Sequence, residues 1–223
     1  MPGSRGARRR GVRHQARAGD EDALPRALDA GVPAGWVTAD EVYGRHFRLR
    51  RMLEERHTPY VLAVPVNQRV IAVVAGKVTE LRADALARRL PNQAWKKISA
   101  GAGSKGPRLY HWARAAIRPL EDTRSYWLLV RRSLTDPTDL AYYLCYGPEG
   151  TPLREHVRVA GARWAIEETF QTAKGQVGLD QYQVRRYDSW NRHITLAMLA
   201  HAFLTVTTAH AGGKGGRSAR PRS

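Results

Sequence analysis

With 223 residues, 43% of them hydrophobic, the chain is long enough to build one sizeable core, which excludes a polypeptide disordered throughout. Its 37 Lys and Arg against 20 Asp and Glu leave a formal net charge of +17. An excess of that size repels itself in a compact fold and points to a polyanion as partner, nucleic acid first, over a basic protein with no dedicated partner.

Residues 1–21 carry Arg5, Arg8, Arg9, Arg10, Arg13 and Arg17 without an apolar run, and read as a basic disordered arm rather than a secretory signal. Residues 22–30 look like a short helix, stopped by Gly31 and Pro33. Trp36, Val37, Thr38 and Ala39 then form a short apolar strand that ends at Asp40. A helix over residues 47–57 and a continuous apolar strand, Tyr60 to Val64, complete a β–α–β unit. Asp40 and Glu41 sit at the carboxyl end of its first strand, where open α/β sheets place functional groups.

Beyond residue 68 the pattern changes. A short helix near residues 84–90 stops at Pro91, and a Gly-rich basic loop follows over residues 96–107, with Lys96, Lys97 and Lys105. That loop, with Arg108, either touches phosphates or is simply solvated. Gly101, Gly103 and Gly106 match a dinucleotide fingerprint by letters only. Lys96 and Lys97 stand where its strand should be and Pro107 where its helix should open, so that reading is rejected. Strand-like runs at 109–117, 126–131 and 140–146, with turn residues at 134–139, predict an antiparallel meander. One cysteine, Cys145, excludes an internal disulfide framework and fits a reducing cytoplasm; no His/Cys cluster has zinc spacing.

Helix returns over residues 152–177. A last helix, capped by Asp188 or Ser189 and running to about residue 208, is apolar on most faces (Ile194, Leu196, Met198, Leu199, Ala202, Phe203, Val206), which predicts burial in a core with His193 and His201 as satisfied core histidines. Its uncharged stretch, 194–210, is too short and too polar for a comfortable membrane span, so no membrane partner is expected. The Gly/Arg/Ser tail over 211–223 reads as disordered.

On the helix over 152–177, Arg163, Glu167 and Lys174 lie at i, i+4 and i+11, which stacks a cation, a carboxylate and a cation along one face. Such a face suits a metal ion and a phosphate backbone together; the alternative is an exposed helix with an ordinary Arg–Glu pair. Asp40 is the carboxylate that this helix would have to approach. Acidic residues brought together bind hard divalent cations, Mg²⁺ foremost beside phosphates, and two such ions support phosphodiester cleavage.

These residues resemble a family. The block from Gly35 to Gly44 is similar to the second-aspartate block of DDE transposases from bacterial insertion sequences. Arg163, Glu167 and Lys174 are similar to the Tyr-Arg-Glu-Lys signature of their RNase H-like branch with a β-strand insertion. The stretch from Gly178 to Arg185, followed by Trp190, Arg192, His193, Thr195, Leu196 and Met198, resembles the next block in actinobacterial members. The resemblance implies Asp40 and Glu167 as catalytic carboxylates and metal ligands for Mg²⁺ or Mn²⁺. It implies Arg163 and Lys174 as contacts to DNA phosphates. Glu167 rather than Glu168 has the signature's spacing.

Two positions depart from the family. Ala160 stands at the signature's tyrosine, and no aspartate lies far enough before Asp40 to be the first of the three carboxylates. The expectation is therefore an α/β chain: a partial RNase H-like domain, a mixed sheet with flanking helices, interrupted by a β-rich insertion. Its parts would be the arm 1–21, the first part of the core 22–66, the insertion 67–150, the C-terminal core helices 151–210 and the tail 211–223. It would be the C-terminal part of a cytoplasmic transposase, binding transposon ends and target DNA, and itself or a full-length transposase, but cleaving poorly alone. The alternative is a non-enzymatic DNA-binding remnant or an inhibitor of full-length transposase.

Overall fold

The computed structural model describes residues 23–103, 106–118, 125–183 and 185–214. The basic arm, Lys105 and the tail beyond residue 214 lie outside the described residues. The chain divides into two compact units, residues 1–36 and 37–223. In the first, α1 (Ala23–Asp29) is the expected short helix. Its end is tied by amide donors from Ala30, Gly31 and Val32 to the carbonyls of Arg26, Leu28 and Ala27. Gly31 takes φ 77°, a left-handed turn open to glycine at no steric cost.

The second unit begins with the expected β–α–β unit: β1 (Val37–Ala39), α2 (Glu41–Gly44), α3 (Phe47–Glu55) and β2 (Tyr60–Val64). β1 and β2 are parallel, with Val37 opposite Tyr60 and Ala39 opposite Leu62. The apolar run of β2 is buried at Tyr60, Val61, Leu62 and Val64, as a strand covered on both faces requires. Gly44 lets α2 settle on this strand, because a Cβ there would lie 1.8 Å from the Ala63 carbonyl oxygen.

A hairpin that the composition did not announce follows, β3 (Arg69–Val74) with β4 (Lys77–Arg82), forming a separate two-stranded sheet. Its turn residues Ala75 and Gly76 both have positive φ, 49° and 77°, the mirror-image turn that matches the twist of the strands. After α4 (Ala83–Ala87) come β5 (Lys96–Gly103), β6 (Gly106–Ile117), β7 (Ser125–Arg132) and β8 (Leu140–Gly147). The last three are the expected antiparallel meander. β8 also pairs antiparallel with β2, so one six-stranded sheet runs in the order β1-β2-β8-β7-β6-β5.

The Gly-rich segment is a strand and not a loop. β5 pairs with β6 from Lys96 opposite Trp112 to Gly103 opposite Gly106, with its register shifted between Ser99 and Ala102 where Gly101 takes φ 125°. Glycine weakens a strand but does not forbid it: here a long partner supplies the hydrogen bonds and the bulge absorbs the glycine. The dinucleotide reading still fails, for a corrected reason. A strand does precede the glycines, but a second strand follows them instead of a helix.

Two long helices complete the unit, α5 (Leu153–Val177) and α6 (Tyr187–Lys214). The sheet curls, so that α5 packs against β5 at one edge and against β1 and β2 at the other. Its close approach to β5 depends on Gly161, where a Cβ would stand 1.8 Å from the Ala100 carbonyl oxygen. The mixed sheet with flanking helices is consistent with an RNase H-like α/β fold.

α6 departs from its expected burial. It begins at Tyr187, which puts Asp188 and Ser189 inside the first turn rather than at the cap. Among its described side chains only Ala197 and His201 are buried, while Leu196, Leu199, Phe203 and Val206 stay more than half exposed. Hydrophobicity on most faces signals burial only where neighbours exist to cover each face, and among the described residues α5 covers one. His193 has its expected partner, with Nε2 3.2 Å from the Gly178 carbonyl, whereas the buried Nδ1 of His201 has none among the described residues.

Candidate active site

Asp40 follows the last residue of β1 and caps the short helix α2. Its Oδ1 accepts from the backbone amides of Val42 at 3.0 Å and Tyr43 at 3.3 Å. The side chain that ends the strand thereby satisfies two of the helix's open donors. Glu41 turns outward to Arg45, at 2.5 Å, so the two adjacent carboxylates are separated by environment: Asp40 half-buried, Glu41 exposed.

Glu167 sits in the second half of α5, 55% exposed, and accepts from Arg163 Nη1 at 2.5 Å. The predicted cation–carboxylate contact thus exists, as an ordinary i, i+4 pair at the surface. Lys174 lies one turn before the helix end at Gly178 (φ 62°), with its Nζ 4.0 Å from Asp180. At about 100° per residue, Arg163, Glu167 and Lys174 fall on the side of α5 that, one turn earlier, presents His156 and Ala160 to the sheet. α5 packs on β1, the strand that ends at Asp40, but no hydrogen bond or ion pair joins Asp40 to Glu167 among the described residues. Lys96 and Lys97 open β5 and are exposed.

Glu168 has a partner the spacing argument did not anticipate. Arg108, grouped by sequence with a loop that either touches phosphates or is solvated, forms an ion pair with Glu168 and donates to the Ala102 carbonyl. Around this pair Tyr110 stacks on Trp164 with centroids 5.7 Å apart and planes 23° apart. The guanidinium of Arg131 lies 4.6 Å from the Tyr110 ring centre, and that of Arg108 5.7 Å from the Trp164 ring centre. The two acidic neighbours on α5 therefore differ. Glu168 is tied to the sheet, while among the described residues Glu167 is held only by its own helix. The one sequence signal for this cluster was the alternation of Tyr110 with Trp112 on β6, which puts both rings on one face.

Cys145 is buried, and burial pushes its thiol well above the ordinary range. A cleft of about 580 Å³ lies at the amino end of β2, away from Asp40, lined by Phe47, Arg50, Arg69, Arg118 and Tyr126 among others. Its cations are already engaged: Arg118 with Glu54 at 2.9 Å and Arg69 with Glu80 at 3.3 Å.

A divalent ion of the Mg²⁺ class needs several oxygen donors in one place. Among the described residues, no group of three or more His, Cys, Asp or Glu side chains could hold one. Asp40 Oδ1 and Glu167 Oε1 are each already accepting hydrogen bonds. The donor set described in this chain does not make a metal centre by itself.

No curated protein matches the chain. Among the described residues, no helix is long and apolar enough to cross a membrane. The family model described as the transposase DDE domain does match, over residues 10–203. Transposases of that family generally depend on a divalent metal ion and bind DNA. With most of its length so matched, and with an α/β fold that places an aspartate at the end of a parallel strand, the chain belongs to the DDE transposases.

Proposed function

We propose that Asp40 and Glu167 are two of three carboxylates in a transposase centre that cleaves and joins DNA with Mg²⁺ or Mn²⁺, and that the third comes from outside the described residues. Arg163 and Lys174 hold the phosphates of the strand being cut. Lys96, Lys97 and Lys105, on the basic Gly-rich segment over residues 96–107, bind DNA further along. In this reading residues 22–66 and 151–210 are core and residues 67–150 the insertion.

The observation that carries the proposal is the family match over 10–203, which spans both Asp40 and Glu167. Two features support it: Asp40 stands at the carboxyl end of β1, and α5, which bears Glu167, packs on that strand. Among the described residues no group of three carboxylates assembles; in this proposal the chain binds DNA yet cleaves poorly alone. A second reading is a DNA-binding remnant that inhibits full-length transposase by entering mixed assemblies.

The test is a pair of measurements on the purified chain. Binding to duplex DNA should weaken steeply with salt, and Arg163→Ala or Lys174→Ala should each lower the slope of log K against log salt by about 1. With Mg²⁺ or Mn²⁺ present, nicking of DNA carrying the transposon end should be weak or absent. Strong nicking abolished by Asp40→Ala would overturn the incompleteness of the centre, and no binding at low salt would overturn the DNA-handling reading altogether. The inhibitor reading requires that added chain slow a full-length transposase.

A further inference from the structure

We propose that the turn joining α5 to α6 is a stacking site for unpaired DNA bases, with the ring of Tyr187 as its open platform. Four rings meet there in a chain. Tyr187 lies nearly parallel to Trp190, with ring centres 6.0 Å and planes 23° apart. Trp190 meets Tyr182 edge to face at 6.4 Å, and Tyr182 meets His193 at 6.0 Å. The inner end of this chain is fixed: His193 Nε2 lies 3.2 Å from the Gly178 carbonyl, and Leu179 and Ala197 are buried with Ala173 of α5. The outer end is not covered. Tyr187 is 73% exposed, the highest value among the described large hydrophobic side chains, and Tyr182 is 44% exposed. An aromatic ring stabilises a fold by burying its area, so a ring held by one stacking neighbour and left this open is placed to receive another flat group.

Charge selects the occupant. Arg185, Arg186 and Arg192 flank the rings in sequence and are exposed. From Lys174 to His193 the chain carries four Lys and Arg against two Asp, Asp180 and Asp188. An apolar protein surface offers nothing to these guanidinium groups, whereas a nucleotide brings a phosphate and a flat π face together. A closed duplex is also a poor fit. It presents phosphates and base edges, while each base face is covered by the next base, so an open ring finds nothing to stack on. A strand with unpaired bases satisfies both the arginines and the rings. Lys174, which in the proposed function holds the phosphates of the cut strand, stands beside this turn, its Nζ 4.0 Å from Asp180. That the strand is DNA rests on that reading; the ring platform does not.

The experiment is fluorescence anisotropy on the full chain, freed of nucleic acid with nuclease, at fixed salt and without divalent metal. Three DNA probes share one duplex: blunt, with a tail of about five unpaired nucleotides, and with the same tail made abasic. Wild-type protein should bind the tailed probe roughly tenfold more tightly than the blunt one, and the abasic tail should recover little of that gain. Tyr187→Ala should bring the tailed probe to the affinity of the blunt one while keeping its circular dichroism spectrum, since the side chain is exposed. Tyr187→Trp, which keeps a ring face, should retain the preference. A fluorescent purine analogue in the tail should be quenched by wild-type protein and not by Tyr187→Ala, a change that phosphate contacts alone do not produce. An abasic tail bound as tightly as the natural one, or a preference that survives Tyr187→Ala, would overturn the platform. Tail-dependent binding with no affinity for the blunt duplex would overturn the duplex-handling reading and leave the platform standing; no binding to any probe would overturn both.

Discussion

Up to Gly161, α5 buries His156, Val157, Val159, Ala160 and Gly161; from Ala162 to its end it buries only Ala173 and leaves Ile166 and Phe170 about half exposed. The first half lies in the curl of the six-stranded sheet, where side chains are met from several strands. The second half carries Arg163, Glu167 and Lys174, packs at Ala173 against Ala197 of α6, and reaches β6 through Trp164 and Glu168. One helix is thus an anchor at one end and, in the proposed function, the reactive surface at the other. Stability should be governed by the first half and DNA chemistry by the second, and the two should separate under mutation.

The sharpest way to break that comparison is a pair of glycine substitutions. Gly161→Val puts a branched side chain where even a Cβ would stand 1.8 Å from the Ala100 carbonyl oxygen, and the obstacle is backbone. α5 must lift from β5, at a cost of about 3 kcal/mol or more. Gly175→Ala, in the second half, meets nothing within 4 Å and should stabilise the helix by up to about 1 kcal/mol. Urea denaturation of both variants decides the matter. If the two changes cost the same, the halves are not distinct.

Next in size is a pH effect confined to the anchored half. His156 is fully buried, 4.6 Å from the Trp127 ring, and Arg114 donates to its Nδ1 at 3.2 Å. Burial first, and the Arg114 charge second, lower its pKa from the ordinary 6.5 to about 4. The folded state therefore binds fewer protons than the unfolded chain between those values. Its contribution is fully present above pH 6.5 and is lost as pH falls through 4, amounting to roughly 3 kcal/mol. His156→Gln should flatten the wild-type dependence in that window by a comparable amount. Equal slopes for wild type and variant in thermal melts at pH 7, 5.5 and 4.5 would show that the ring is not held neutral.

The same division explains what could be read from sequence. β2, the β6–β8 meander and α5 were legible because apolar runs such as Tyr60 to Val64 and turn residues such as Asp136 and Pro137 act locally. β5 was not, since Lys96 to Gly103 has loop composition and becomes a strand only against β6. α6 misled in the opposite direction. Its composition states that apolar faces exist, and not how many neighbours the chain supplies to cover them. Within the candidate site, the Arg163–Glu167 contact followed from i, i+4 spacing alone. The Arg108–Glu168 pair spans sixty residues and had no local signal.

Asp40 tests the boundary between structure and chemistry. As the cap of α2 it accepts two amides, so Asp40→Ala should cost about 1 kcal/mol, and Asp40→Ser, which can still cap, only a few tenths. The two readings of this residue then separate cleanly. If capping is its whole role, Asp40→Ser behaves as wild type when mixed with the rest of a transposase. If it is a carboxylate of the centre, Asp40→Ser is as inactive as Asp40→Ala while nearly as stable as wild type.

The smallest stability effect, and the most informative contrast, belongs to the neighbouring glutamates. Glu167 is 55% exposed and, among the described residues, paired only with Arg163 on its own helix, so Glu167→Gln should change stability by less than about 0.5 kcal/mol. Glu168→Gln removes a tie between α5 and β6, through an Arg108 side chain that is only 18% exposed. It should cost more, about 1 kcal/mol. A residue kept for packing costs stability and spares assembled cleavage, whereas a residue kept for chemistry does the reverse. Glu167→Gln is expected to leave the melting curve in place and abolish strand cleavage in a reconstituted transposase, while Glu168→Gln lowers the melting temperature and retains cleavage. If the two results are exchanged, the catalytic carboxylate of α5 is Glu168, and Arg108 is then the cation that holds it.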